Sequence, residues 1–445
     1  MTVQGGEESA IEPAAPGPNL EHWLNRVHPI VFAIYAAVSS FAAYFFMYFY
    51  RKPFAAGTYA TVPHILGLDA KSAYVIAQVV GYAASKMLGI KVVSELHAGK
   101  RARAILLSIV CAEAALVAFA LLPSSLGMVA LALNGLSLGM IWGMVFGFLE
   151  GRVVSDWLGA ALCASFIVGS GAAKSLGKAL LEWGVAERWM PAAAGAVVAP
   201  AMLLFVAMLA QIPPPTQRDV AARTERVPMN AEMRRAFFRS HAAGLVPLVI
   251  AYVALTAFRD FRDNFATEIW DKLGFGKQPL IMTTTEIPVA VGAVVGVALI
   301  GLFRKNRAAL LATHVIIVAG ALLVGAATLA FQAGLIQPVT WMISVGLGLY
   351  VAYVPYNCVL FDRLVAATGS VANAGFLIYV ADASGYLGSV ATLIYKNAGR
   401  RSLSWVSFLQ GFGLFTSALM LAMVSAAAFY FHRATSAPPK PEEIA

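Results

Sequence analysis

The sequence predicts an all-α membrane protein of about twelve transmembrane helices arranged in two groups of six. Three observations carry this reading: the composition, the spacing of apolar runs, and the places where basic residues fall. The 445-residue chain is 60% hydrophobic and only 12% charged, with a mean hydropathy of +0.74. A soluble domain carries about a quarter charged residues, so this chain lacks the polar surface that a water-soluble fold needs. Runs of about twenty apolar residues, the length that crosses a bilayer, recur along it.

The runs fall at 30–60, 72–94, 103–122, 126–149, 158–181 and 190–211, then at 243–268, 280–302, 308–330, 338–360, 373–396 and 404–431. Residues 1–29 are a polar tail without the charged start, apolar centre and small-residue cleavage site of a signal peptide, so the first helix is expected to act as the membrane signal. The division that follows is an N-terminal six-helix bundle at 30–211, a basic linker at 212–242, a C-terminal bundle at 243–431 and a tail at 432–445. The linker opens on the triple proline of "QIPPPT", which resists helix, and its arginines outnumber its acids.

Basic residues cluster in "KVVSELHAGKRAR" after the second run and in "FRKNRAA" after the eighth, whereas the loops "PSS" and "GLIQPVT" carry no charge. That alternation places the even-numbered loops and both termini in the cytoplasm, with "YKNAGRRS" running against the pattern. The net charge of +9 is accounted for by this bias and does not point to nucleic acid. Cys111, Cys163 and Cys358 all lie in apolar runs, without disulfide or metal-ligand spacing, and no cofactor is implied.

Charges inside apolar runs are costly and mark ion or solute paths. In "AAYFFMYFYRKPFAAGTYATV", Arg51 and Lys52 interrupt a run that continues to Tyr59. A single helix from Ile30 to Tyr59 would be roughly 45 Å long and would carry Arg51 past its centre, with Pro53 kinking it. The bland alternative is a shorter helix whose end lets both side chains reach water. Arg259, Asp260, Arg262 and Asp263 share one helical stretch, and the spacing of Arg259 and Asp263 allows an ion pair along one face. Lys86 lies in the second run, and Lys174 and Lys178 lie on one face of the fifth, with Lys174 the better cavity candidate. Glu286 and Asp382 are isolated acids that would either hold a proton or pair with the surplus of cations. Glu113 in the third run has no assigned role. Small residues in "NGLSLGMIWG" and "GYLGS" are spaced for close helix contact.

Six spans, a basic linker and six more spans is the layout of the major facilitator superfamily. The stretch "LGIKVVSELHAGKRAR" resembles that superfamily's gate signature, with Gly89, Glu95, Gly99, Lys100 and Arg101 in its roles and Glu95 where Asp is usual. More specifically the chain resembles the organophosphate–phosphate antiporter branch, the glycerol-3-phosphate and hexose-phosphate transporters. "YRKPFA", "GYAASKMLG", "LNGLSLGMIWG", "FRDFRDNFA" and "AGFLIYVADASGYLGS" match its motifs in order, covering most of the chain. The resemblance implies that Arg51 and Arg259 clamp the substrate's anionic group, with Lys86 nearby. Arg forks suit phosphate and carboxylate oxygens. The departures are Leu138 for the branch's Gln, Gly143 for its Pro, Phe166 for its His and Asp382 for a small residue, which implies an altered substrate.

The sequence-based expectation is therefore a bacterial inner-membrane transporter, monomeric, moving a small anionic organic solute by alternating access. Arg51, Arg259, Lys86, Lys174 and Lys52 are its substrate-binding candidates. Asp263, Glu286, Asp382 and Arg262 are its coupling or charge-pairing candidates, with a proton or inorganic phosphate as the coupling ion. Three other functions compete with it: a transporter-like sensor of a phosphorylated solute, a proton-coupled sugar or drug carrier, and a membrane enzyme or lipid-handling protein. The last lacks a metal-binding or nucleophilic constellation within helical reach.

Overall fold

The computed structural model describes residues 20–96, 98–149, 152, 155–215, 219, 231–369, 374–399 and 403–436. The first half contributes α1 (Pro29–Met47), α2 (Ala70–Glu95), α3 (Ala98–Leu121), α4 (Gly127–Leu138, resuming over Ile141–Phe146), α5 (Ser155–Glu182) and α6 (Met190–Ala210). The second half contributes α7 (Ala231–Asn264), α8 (Glu286–Gly301), α9 (Asn306–Gln332), α10 (Pro338–Cys358), α11 (Ala374–Gly399) and α12 (Trp405–Ala434). Among the described residues, ten helices are long and apolar enough to cross a membrane. α2 and α11, which carry Lys86 and Asp382, are the long helices outside that ten. Residues 231–242 of the basic linker form the opening turns of α7, while 216–218 and 220–230 lie outside the described residues.

Helices of one half pack chiefly on each other, α2 on α4 and α1 on α5 in the first, α9 on α10 and α7 on α11 and α12 in the second. The halves meet along a seam where α5 lies on α8 and α10, and α2 lies on α11. The tight α2–α4 approach follows from residue size. A Cβ built on Gly135 would stand 2.2 Å from the Gln78 carbonyl oxygen, and one on Gly81 would stand 1.9 Å from that of Ala132. Outward faces are apolar and exposed, as at Leu107, Val110, Leu203, Leu204, Val291 and Val315, which suits contact with lipid tails.

The first helix does not run to Tyr59. α1 ends at Met47, tightens into a 3-10 turn at Tyr48–Tyr50, bends at Arg51–Lys52 and makes a second 3-10 turn at Pro53–Ala56. Pro53 has no N–H to donate, and its ring crowds the carbonyl four residues back, so an α-helix cannot continue through it. The seventh helix behaves differently: α7 passes through Arg259 unbroken and is interrupted only at Phe265, before a short helix at Ala266–Lys272.

The Sγ atoms of Cys163 on α5 and Cys358 at the end of α10 lie 3.8 Å apart across the seam. Copper–phenanthroline oxidation should join them as a disulfide, two thiols losing two protons and passing two electrons through copper to oxygen. Thiol labelling of the unfolded protein should then find one of the three cysteines still free, the exposed Cys111. Cys163→Ser should keep Cys358 reactive. Three free thiols after oxidation of the parent would mean that the seam is not closed at this level.

Candidate functional site

The break after α1 frees backbone carbonyls inside the protein, and a buried amide pair takes them up. Gln78 Nε2 on α2 donates to the Arg51 carbonyl at 2.9 Å and to Asn134 Oδ1 at 2.8 Å. Asn134 Nδ2 on α4 donates to the Tyr50 and Ala112 carbonyls at 2.9 and 3.1 Å. Both amides use every proton they have, so the bend is held by fully satisfied bonds. It delivers the buried Arg51 guanidinium to the seam, 3.6 Å from the centre of the Tyr82 ring. Arg51 Nη1 donates to Tyr48 Oη at 3.5 Å, its Nε has no partner, and no described carboxylate pairs with it.

Asp263 on α7 is the hub of the neighbouring cluster. Lys52 Nζ lies 2.5 Å from its Oδ2, and Lys174 Nζ on α5 lies 2.5 Å from its Oδ1 and 2.7 Å from its carbonyl oxygen. Ser170 Oγ donates to the same carboxylate, and Lys52 also donates to Asn264 Oδ1 at 2.8 Å. Lys52 thus joins the seam and does not reach towards water, and one carboxylate serves two lysines of the other half.

Arg259 pairs with the adjacent Asp260, at 3.0 Å from Nε and 2.7 Å from Nη2, and its guanidinium sits 4.4 Å from the centre of the Tyr353 ring. Ser389 on α11 donates to the other Asp260 oxygen at 2.7 Å. The expected helical pair of Arg259 with Asp263 is therefore replaced by a pair with Asp260, because Asp263 is turned to the two lysines. Arg262 pairs with Glu286 Oε1 on α8 at 2.8 Å and donates to the Met342 carbonyl on α10 at 3.0 Å.

Lys86 pairs with Asp382 across α2 and α11. Tyr252 donates to the other Asp382 oxygen, and its hydroxyl also stands 3.0 Å from that of Tyr353. Neither Glu286 nor Asp382 is isolated, since each has a cationic partner. Nearer the end of the seam at which α2 begins, Lys71 holds both oxygens of Glu268, at 2.5 and 2.7 Å, and Lys178 holds Asp271 at 3.0 Å.

A polarity rule emerges. In every described ion pair that crosses the seam, the cation comes from the first half and the carboxylate from the second: Lys52 and Lys174 with Asp263, Lys86 with Asp382, Lys71 with Glu268, and Lys178 with Asp271. Pairs inside the second half neutralise its own arginines.

The gate-signature residues lie apart from this cluster. A Cβ on Gly89 would stand 2.9 Å from Met140 Cγ, so Gly89 lets α2 close on α4. Lys100 is exposed in the first turn of α3, and Arg101 Nη1 donates to the Gly147 carbonyl at 2.5 Å. Glu95 ends α2, with its side chain outside the described residues. Glu113 is also remote. One of its oxygens is buried without a partner over Gly195 of α6, where a Cβ would come within 2.2 Å of it. Among the described residues, no three His, Cys, Asp or Glu side chains gather as a metal site.

Comparison with known proteins places this geometry. A family model described as "Family of unknown function (DUF5690)" matches residues 53–434. The chain belongs to that family. No curated protein matches the DUF5690 chain. Among solved structures it is similar to the D-xylose–proton symporter, with a TM-score of 0.58, 14% identity and coverage of 88% of this chain and 97% of that one. It is also similar to the human organic anion transporter MFSD10 (TETRAN), with a TM-score of 0.53, 14% identity and coverage of 90% and 100%. The likeness is one of fold, shared with both of these transporter structures.

Several residues that build the DUF5690 cluster carry no obvious sequence signal. Tyr82, Tyr252 and Tyr353 read as apolar-run tyrosines, and Gln78 and Ser389 as isolated polar residues. Asn134, at the head of the small-residue stretch, is the exception that its neighbours mark. Removing the charge of Asp263 tests how much the cluster holds. Asp263→Asn leaves two lysines without a carboxylate and should destabilise the protein by about 3–5 kcal/mol, as for other broken buried pairs. Asp271→Asn, in a pair whose acid is 43% exposed, should change stability by about 0–1 kcal/mol. Thermal or denaturant unfolding of the detergent-solubilised variants measures both, and equal effects would contradict the hub.

Proposed function

We propose that this chain is a secondary transporter of a small anionic organic solute, a phosphate ester or carboxylate, working by alternating access. The observation that carries the reading is Arg51, a buried guanidinium with no carboxylate partner among the described residues. The surrounding cluster is also cation-rich: Arg51, Lys52, Lys86, Lys174, Arg259 and Arg262 face Asp260, Asp263, Glu286 and Asp382. Such a surplus at low dielectric favours an anion strongly over a neutral or cationic solute. One fold neighbour is itself described as an organic anion transporter, which supports the same substrate class.

The geometry supplies a route from binding to movement. An anion bound at Arg51 offers Lys52 and Lys174 an alternative to Asp263, and Lys86 an alternative to Asp382. The solute thereby weakens the contacts that join the halves, and its differential affinity for the two states drives the exchange of access. Arg259, stacked on Tyr353 and bonded to Asp260, is the second-half partner that completes the clamp once Asp260 yields. The released carboxylates are the groups on which a coupling proton would sit, and inorganic phosphate is the counter-substrate that the same clamp would accept. The proposed setting is a bacterial inner membrane, with both termini cytoplasmic and a monomer as the working unit.

A thermal-shift screen of the purified protein against phosphate esters, carboxylates, sugars and amino acids tests the class, with counterflow in proteoliposomes testing movement. An anionic compound should stabilise the parent and exchange across the vesicle membrane. Arg51→Ala and Arg259→Ala should each weaken its binding at least about tenfold, the loss of a charged hydrogen bond being about 1.5–3 kcal/mol. Arg51→Lys should bind more weakly than the parent, since it keeps the charge and loses the fork. Stabilisation that survives both alanine variants would remove the clamp, and binding without counterflow would leave a sensor.

A further inference from the structure

Away from the seam, Glu113 lies inside the first bundle and takes no part in the function proposed above. It stands fifteen residues into α3 and eight before its end, about 22 and 12 Å from the two ends, too deep for a short side chain to reach water along the helix. Around it α3 exposes Val110, Cys111 and Ala114, an apolar surface that suits lipid. Glu113 itself is half-buried, and its Oε2 is buried without a hydrogen-bond partner. An ionised carboxylate in such a place is costly unless a cation stands beside it.

Among the described residues none does. α4 and α6, which pack on α3, carry no charged residue over Gly127–Phe146 or Met190–Ala210. Arg101 and Arg103 lie about three turns back on α3 itself. Arg188 is engaged by the Phe119 and Leu122 carbonyls at the far end of that helix. Arg51 keeps its guanidinium on the Tyr82 ring. The titratable group that does face Glu113 is the phenol of Tyr50, which brings no positive charge. A proton on the carboxyl removes the charge and with it the cost.

The carboxyl is also fitted to the α1 bend. A Cβ built on Gly195 of α6 would stand 2.2 Å from Glu113 Oε2 and 3.0 Å from a ring carbon of Tyr50, so the three residues meet where only glycine leaves room. One amide holds both backbones, since Asn134 Nδ2 donates to the carbonyls of Tyr50 and of Ala112, the residue before Glu113. Tyr50 in turn precedes Arg51. A movement of the bend therefore shifts one wall of the carboxyl's surroundings.

We propose that Glu113 is a proton-binding site, neutral in this conformation, which releases its proton when the bend at Tyr50 and Arg51 moves. Displacing Tyr50 opens Oε2 to water or to the Arg51 guanidinium, and either stabilises the carboxylate. Asp260, Asp263, Glu286 and Asp382 already have cations, whereas the charge of Glu113 depends on the bend alone. Resting on the transport reading, the site couples a proton to the movement that an anion at Arg51 sets off.

Infrared spectroscopy of the full chain in lipid tests this, with the proton as the only ligand. At neutral pH the parent should show the C=O stretch of a protonated carboxylic acid that Glu113→Gln lacks. Raising the pH should remove that band, and Tyr50→Ala should need at least a tenfold higher proton concentration to retain half of it. Pro53→Ala, which lets α1 run on through the bend, should act the same way and serves where Tyr50→Ala does not fold. Identical spectra of the parent and Glu113→Gln at neutral pH would show an ionised Glu113 and overturn the proposal. A titration that neither bend variant moves would sever Glu113 from the bend and overturn it as well. The spectra need no transported solute, so their failure is distinct from a failure of counterflow, which concerns the transport reading.

Discussion

A charge buried in a membrane protein is costly without a partner, and the lysines of this protein's seam find theirs across it, in the opposite half. Each lysine there that α2, α5 or the α1 bend carries is answered by a carboxylate of α7, its short extension or α11. Desolvating one charge alone costs several kcal/mol, and a close opposite charge repays much of it only while the geometry holds. The halves are therefore bound to each other by the same groups that make their surfaces intolerable to lipid. Asp263 concentrates the effect, because two lysines and a serine depend on one carboxylate.

That arrangement rests on an earlier event in the chain. Pro53 stops the first helix, the stop frees the Tyr50 and Arg51 carbonyls, and Gln78 and Asn134 absorb them. Asn134 reaches that far because Gly135 lets α4 lie backbone to backbone on α2. A larger residue at Gly135 would part the helices and leave buried carbonyls unpaired. Arg51 thus owes its position to one proline, one glycine and two amides, none of which touches its guanidinium.

How much of this was legible in the sequence depends on the distance over which each feature is decided. The helices were legible, since apolar length is a local property, and so were the charged residue types that depart from it. Their pairings were not. Helical spacing joins Arg259 to Asp263, but that rule holds only where both side chains lack better partners, and Lys52 and Lys174 come from remote segments. Lys86 and Asp382 are separated by 296 positions, so nothing local connects them. A helix from Ile30 to Tyr59 is too long because Pro53, which can kink a helix or end one, ends it here, and the choice rests on Gln78 and Asn134, which capture the freed carbonyls. Tyr252 and Tyr353 became part of the cluster only when Asp382 arrived between them and Lys86.

The polarity of the seam bears on selectivity as well as cohesion. Had cations and carboxylates been scattered over both halves, any ion entering the seam would loosen some contacts and tighten others. In the proposed cycle an anion competes with second-half carboxylates for first-half cations at every described crossing, so its effect has one sign throughout. A cationic solute would have to displace the lysines from their acids and would leave them facing Arg51 and one another, a repulsion that low dielectric magnifies. A neutral solute has no charge with which to replace either partner. On the proposed function, the contacts that close the seam also define what can open it, and the guanidinium left without an acid is where that exchange would begin.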